Sequence, residues 1–178
     1  MENARSQQKP SPQQMLYRGE SRPPEQIAQA GGFFPRVPGA TNHPLEIMSH
    51  VAPNDFPEDQ FPKLWAETRY NGYYNIHYGK YVSTSAELST ALTYSDYDPV
   101  GYVYRMVDPG TGYRVRDVFQ THFKAYRPGV DLPPIMEAER EIVFGVGGIP
   151  LRFVVEYQQT FSGFFVPGTN WLPFPHDE

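Results

Sequence analysis

Glu139-Arg140-Glu141-Ile142-Val143-Phe144 sets two carboxylates at the head of an apolar, β-branched run. Read as a strand, the alternation of side chains puts Glu139 and Glu141 on one face, roughly 6.5–7 Å apart. At that separation both can work on one substrate, one at a reacting carbon and the other at an incoming nucleophile. Like charges so close also raise at least one pKa unless a cation lies between them. Taken alone, the tripeptide reads more readily as the solvated start of a strand whose glutamates face water. The rest of the chain decides between the two.

Near the other end stands Leu16-Tyr17-Arg18-Gly19-Glu20-Ser21-Arg22-Pro23-Pro24-Glu25-Gln26-Ile27, closed by Gly31-Gly32-Phe33-Phe34-Pro35-Arg36. It reads as a short strand delivering Arg18, a turn at Ser21, and a helix that starts at the proline pair and stops at the glycine pair. Alternation places Leu16 and Arg18 on the same side, so Arg18 points inward toward a cleft, and a buried arginine demands an anion. A third segment, Tyr81-Val82-Ser83-Thr84-Ser85, is β-branched and rich in hydroxyls. It reads as a buried strand whose hydroxyls must find partners.

The order Leu-Tyr-Arg with Ser-Arg-Pro-Pro, then Tyr-Val-Ser-Thr-Ser, then Glu-x-Glu followed by Gly147-Gly148-Ile149-Pro150 resembles the catalytic A chains of cholera toxin and heat-labile enterotoxin. These are mono-ADP-ribosyltransferases of the Arg/Ser-Thr-Ser/Glu class. The resemblance runs from about Leu16 to about Gly163. It implies an α+β fold, the split β-sandwich of ADP-ribosyltransferases with short flanking helices. It also implies one catalytic domain over residues 16–178, behind a flexible polar tail at 1–15.

Composition is compatible with this. The 178 residues fit one domain with a core of useful size. The 13 tyrosines, 12 phenylalanines and 19 prolines describe short strands, few long helices and many ordered loops. A formal net charge of −5 argues against a nucleic-acid partner. The chain has no cysteine, so it lacks the disulfide that ties the enterotoxin tail. No stretch reads as a signal peptide or a membrane span, so no membrane partner is expected. The expected elements are strands at Leu16–Arg18, Tyr81–Ser85, Gly101–Val107, Tyr113–Asp117, Glu141–Phe144 and Arg152–Tyr157. Helices are expected at Pro24–Ala30 and Ala86–Thr93, with a helical or irregular stretch at Pro44–His50 and a turn or two at Lys63–Tyr70.

The resemblance assigns the chemistry. NAD is the co-substrate, and no metal is implied. As nicotinamide leaves, the ribose carbon becomes cation-like and needs negative charge beside it, which Glu141 supplies. Ser83 would hydrogen-bond Glu141 and hold its orientation, while Thr84 and Ser85 tie the strand to its neighbours. Arg18 would pair with NAD phosphate or cross-brace the cleft, and its fork suits either role. Tyr17, beside Arg18 in the same motif, and Tyr81 and Thr84, in and before the hydroxyl triplet, are further candidates for the NAD site. Core packing is an equal reading for Tyr81. Family members carry a histidine between the arginine and Ser-Thr-Ser strands; His50 matches, with His43 and His77 in the same interval.

Two points of register follow. Between Glu141 and Gly147 lie five residues, Ile142 to Val146, one more than in the enterotoxin chains. In a strand an extra residue is a bulge, expected at Gly145. The run also holds Glu137, so a register slipped by two would make Glu139 catalytic and Glu137 its partner. In the family Glu-x-Glu accompanies arginine acceptors, because a protonated guanidinium needs a carboxylate to bind and help deprotonate it. Glu139 thus implies transfer to an arginine of a target protein, touched by the Thr121–Gly129 loop. The implied protein is a toxin or secreted effector acting in the target-cell cytoplasm, with an immunity or activating protein as a further partner. NAD hydrolysis, transfer to a nucleic-acid base, and a non-catalytic binding module are the other readings.

Overall fold

The computed structural model describes residues 13–51, 80–96, 99–123 and 140–176. Strand β1, Met15–Glu20, lies at its centre. It runs antiparallel to β4, Val100–Val107, in unbroken register from Met15 opposite Val107 to Glu20 opposite Tyr102. β4 pairs in turn with β8, Val154–Phe161, which carries the short strands β9, Phe164–Phe165, and β10, Leu172–Pro173. On the other side β3, Val82–Ser85, pairs with β6, Glu141–Phe144, and β6 with β5, Tyr113–Arg114. β1 and β3 join these two halves through one register pair, Tyr17 opposite Ser85. The sheet is therefore split where the arginine strand meets the hydroxyl strand.

The buried faces of both halves meet in one core. Leu16, Tyr104 and Met106 from the first half pack with Val82, Ile142 and Phe144 from the second. A two-stranded sheet closes it, β2, Gly32–Phe33, on β7, Ile149–Pro150, with Ile27 from helix α1, Pro24–Gln29. Proline opens α1, as its missing N–H and fixed φ favour. Gly31 follows it at φ 75°. Helix α2, Pro44–Val51, precedes β3 in the chain. Helix α3, Leu88–Tyr94, rests on β1 and β4 at Gly19 and Gly101. A Cβ at Gly19 would overlap the carbonyl oxygen of Ala91, and one at Gly101 that of Ser95.

The mixed α and β class, largely antiparallel with short helices, is as expected. Several local expectations are corrected. The Tyr113–Asp117 strand stops at Arg114, because Arg114 lies opposite Ile142 and only Glu141 remains of its partner. Val115–Val118 turns into helix α4 and continues as a π-helical turn over Phe119–Phe123. Val115 and Phe119, four residues apart, both bury, so helical period replaces strand period. The Arg152–Tyr157 strand starts later and runs longer; Leu151–Phe153 is a 3-10 turn anchored by the Leu151 N–H on the Gly31 carbonyl. Helix α3 starts at Leu88 rather than Ala86, since the Ser85 hydroxyl accepts the Glu87 N–H and holds a turn there.

The bulge is not at Gly145. β6 pairs with β3 without a shift, and the extra residue sits in a turn, where the Gly148 N–H donates to the Gly145 carbonyl at 2.9 Å. The strands do carry an irregularity elsewhere, at Arg105/Met106. Arg140 is the more consequential correction. It lies in a turn at φ 46°, outside β6, so strand alternation does not carry back from Glu141 to Glu139. The expected turn at Lys63–Tyr70 lies outside the described residues.

Candidate active site

Arg18 stands where the sheet splits. With β1 and β3 paired only at Tyr17 and Ser85, the Ser83 carbonyl needs a donor from outside the ladder. Arg18 Nη1 supplies it at 2.7 Å. Its Nε and Nη2 donate to Glu20 Oε2 at 3.3 and 3.0 Å, and the guanidinium lies 5.6 Å from the Phe33 ring centroid. The inward arginine and its anion are thus two residues apart on one strand.

Glu20 is 2% exposed and also accepts from Arg22 at 2.8 Å and from the Ser21 N–H, with Arg36 at 4.0 Å. Burial by itself would raise its pKa. The Arg22 hydrogen bond and the charges of Arg18 and Arg22 override that and hold it at about 2. Glu20 was not singled out in the sequence, although Leu16, Arg18 and Glu20 alternate onto one face and the motif's own arginine asks for an acid.

His50, near the end of α2, brings Nε2 to 3.0 Å from the Ser83 hydroxyl. Burial, then the Arg18 charge, push its pKa down to about 4, so the ring is neutral near pH 7. His43 is exposed, its N–H bonded to the Thr41 hydroxyl; His77 lies outside the described residues. Tyr81 packs its ring 5.3 Å from His50 and donates its hydroxyl to the Thr41 carbonyl at 2.7 Å. The Thr84 hydroxyl ties β3 to β6 through the Ile142 carbonyl at 2.9 Å.

Glu141 opens β6 directly opposite Ser85, with Ser83 its diagonal neighbour on the same face. Arg140 beside it donates to Glu87 at 2.7 Å. Tyr17 turns to the opposite side of β1 from Arg18, its ring 6.3 Å from Trp171. The structure therefore gathers Arg18, His50, Ser83 and Tyr81, sets Glu141 two positions along the same strand pair, and directs the Tyr17 ring elsewhere. Glu139, Glu137 and most of the Thr121–Gly129 loop lie outside the described residues. Among the described residues no group of three or more His, Asp or Glu side chains is placed to hold a metal ion.

No protein-family model matches the chain, and no curated protein matches its sequence. Solved structures do match its shape. A mutant heat-labile enterotoxin of E. coli superposes with a TM-score of 0.54 at 21% identity, over 89% of this chain and 74% of that one. The fold is that of the ADP-ribosyltransferases. A guanine-specific ADP-ribosyltransferase has a TM-score of 0.51 at 17% identity, over 94% of this chain and 80% of that one. Scabin toxin from Streptomyces scabies, solved in complex with NADH, has 0.50 at 19% identity, over 93% and 76%. The enterotoxin-like architecture expected from the three motifs is the one observed.

Proposed function

We propose that this chain is an NAD-dependent mono-ADP-ribosyltransferase that moves ADP-ribose from NAD to an arginine of a target protein and releases nicotinamide. The observation that carries this reading is the Arg18 brace across the split sheet, with His50 on the Ser83 hydroxyl and Glu141 at the head of the adjoining strand. Three arginines surround the single carboxylate of Glu20, and Arg22 Nε has no hydrogen-bond partner among the described residues. That surplus of positive charge fits a diphosphate.

In this reading the bond between nicotinamide and the ribose carbon breaks, and its electron pair leaves with the nicotinamide. Glu141 faces the positive charge that develops on the ribose. A guanidino nitrogen of the acceptor bonds to that carbon and gives up a proton, which Glu139 accepts. Ser83 and His50 hold the strand geometry, and Arg18 keeps the two halves of the sheet together. The likeness to toxins supports a secreted toxin or effector acting in the target-cell cytoplasm, and an immunity or activating protein is a natural partner.

A second reading has a guanine base as acceptor, favoured by the likeness to a guanine-specific enzyme. The acid at Glu139 and the net charge of −5 favour the arginine. Incubation with labelled NAD and host lysate, followed by mass spectrometry of the labelled products, separates them. Label on protein arginine is the expected result, and label on nucleic acid would replace this reading with the second.

A further inference from the structure

Helix α2 carries two buried polar side chains, Glu46 and His50, one turn apart and so on one face. Glu46 is 1% exposed, and carboxylates are almost never so buried unless paired. Lys80 Nζ meets its Oε1 at 3.1 Å, and the Thr41 hydroxyl donates to its Oε2. Lys80 directly precedes Tyr81, whose hydroxyl donates to the Thr41 carbonyl and whose ring lies against His50. The contacts close a circuit from α2, through the Thr41 loop, to the head of β3 and back to α2. His50 leaves that circuit to reach Ser83.

Lys80 keeps 24% of its side chain exposed while Glu46 keeps 1%, and replacing an ion pair so far withdrawn from water with apolar side chains of similar volume is often neutral or stabilising. Stability therefore does not account for a charge placed here. In some systems a withdrawn charged group fixes a single register between two elements, and here sliding either one would strand the buried Glu46 carboxylate. We infer that Glu46 and Lys80 form a positioning clamp that seats α2 against the head of β3, so that His50 meets the Ser83 hydroxyl. Both act through His50 and Ser83. The catalytic consequence rests on the proposed function, whereas the placement of His50 does not.

The test follows the His50 ring by NMR of the full chain with 15N-labelled histidine, its signal assigned with His50→Gln. Ser83→Ala marks the position the signal takes when the hydrogen bond is absent. In Lys80→Met the signal is expected to move toward that position. The kcat for nicotinamide release should then fall at least about tenfold, as small misplacements do, while Lys80→Arg stays within about threefold of wild type. The double variant Glu46→Gln/Lys80→Met removes the stranded carboxylate, so its melting temperature should exceed that of Lys80→Met while the His50 signal stays displaced. If Lys80→Met does not fold, the double variant supplies the answer. A folded variant lacking the pair, with a wild-type His50 signal and wild-type kcat, overturns the clamp. A wild-type protein that releases no nicotinamide overturns the enzymatic reading instead, and the His50 signal then decides the clamp alone.

Discussion

Arg18 illustrates how a single side chain can stand in for a missing rung of a ladder. Its three donating nitrogens serve a strand carbonyl and a buried carboxylate at once, which the single ammonium of a lysine cannot do in the same geometry. Arg18→Lys is expected to lower nicotinamide release at least about a hundredfold and to destabilise the fold by about 1–3 kcal/mol. Steady-state kinetics and urea denaturation measure the two effects. Glu141 differs, because its proposed role is charge rather than bracing. Glu141→Gln keeps the volume and should lower kcat by about 10²–10³ or more with an unchanged melting curve. Activity that survives in Glu141→Gln would shift the catalytic role to Glu139. The arginine and its inward direction were legible in the alternation of Leu16 and Arg18. The Glu20 anchor, two residues on, was not legible, because alternation shows that the two share a face but not that the guanidinium folds back along its own strand to the carboxylate.

Among the elements, strands with strong alternation were legible, and those whose fate depends on a partner were not. Glu141–Phe144 is the strand expected, because four residues of the right type face a complete partner in Val82–Ser85. Tyr113–Asp117 has equal local propensity but runs out of partner, and no single-segment reading shows that. The same limit governs Arg140, whose turn conformation removes the strand logic that placed Glu139 beside Glu141. The helix–sheet contact is a further case, since it depends on two glycines far apart in sequence. Gly19→Ala forces a Cβ into the α3 backbone and should cost about 1–3 kcal/mol. Gly147→Ala, with nothing within 4 Å of the new atom, should stay within about 0.5 kcal/mol. Denaturant midpoints of the two variants make the comparison.

At the scale of the whole molecule, two buried groups among the described residues make stability depend on acid. His50 has a folded pKa near 4, below the ordinary histidine value of 6.5. The unfolded chain therefore binds the proton first, and stability falls as pH drops from about 6.5 toward 4. Glu20, held at about 2 against an ordinary glutamate value of 4.5, adds a second loss as pH drops from about 4.5 toward 2. Each contributes on the order of 3 kcal/mol at full extent. Urea midpoints should thus be flat above pH 7 and decline below about 6.5, and His50→Gln should remove the upper part of the decline while leaving the lower part. A profile flat down to pH 4.5 would mean that His50 is not held neutral by the fold.

The proposed function requires one site that cleaves NAD and hands the ADP-ribose to a guanidinium. It is tested most directly by measuring nicotinamide release and labelling of a free arginine analogue, such as agmatine, side by side on wild type and Glu139→Gln. The wild type is expected to do both. The variant should keep measurable nicotinamide release and lose labelling, because water needs less help than a protonated guanidinium. Parallel loss of both activities would place Glu139 at the ribose rather than the acceptor. A wild-type protein that labels guanine but not agmatine would contradict the arginine assignment outright.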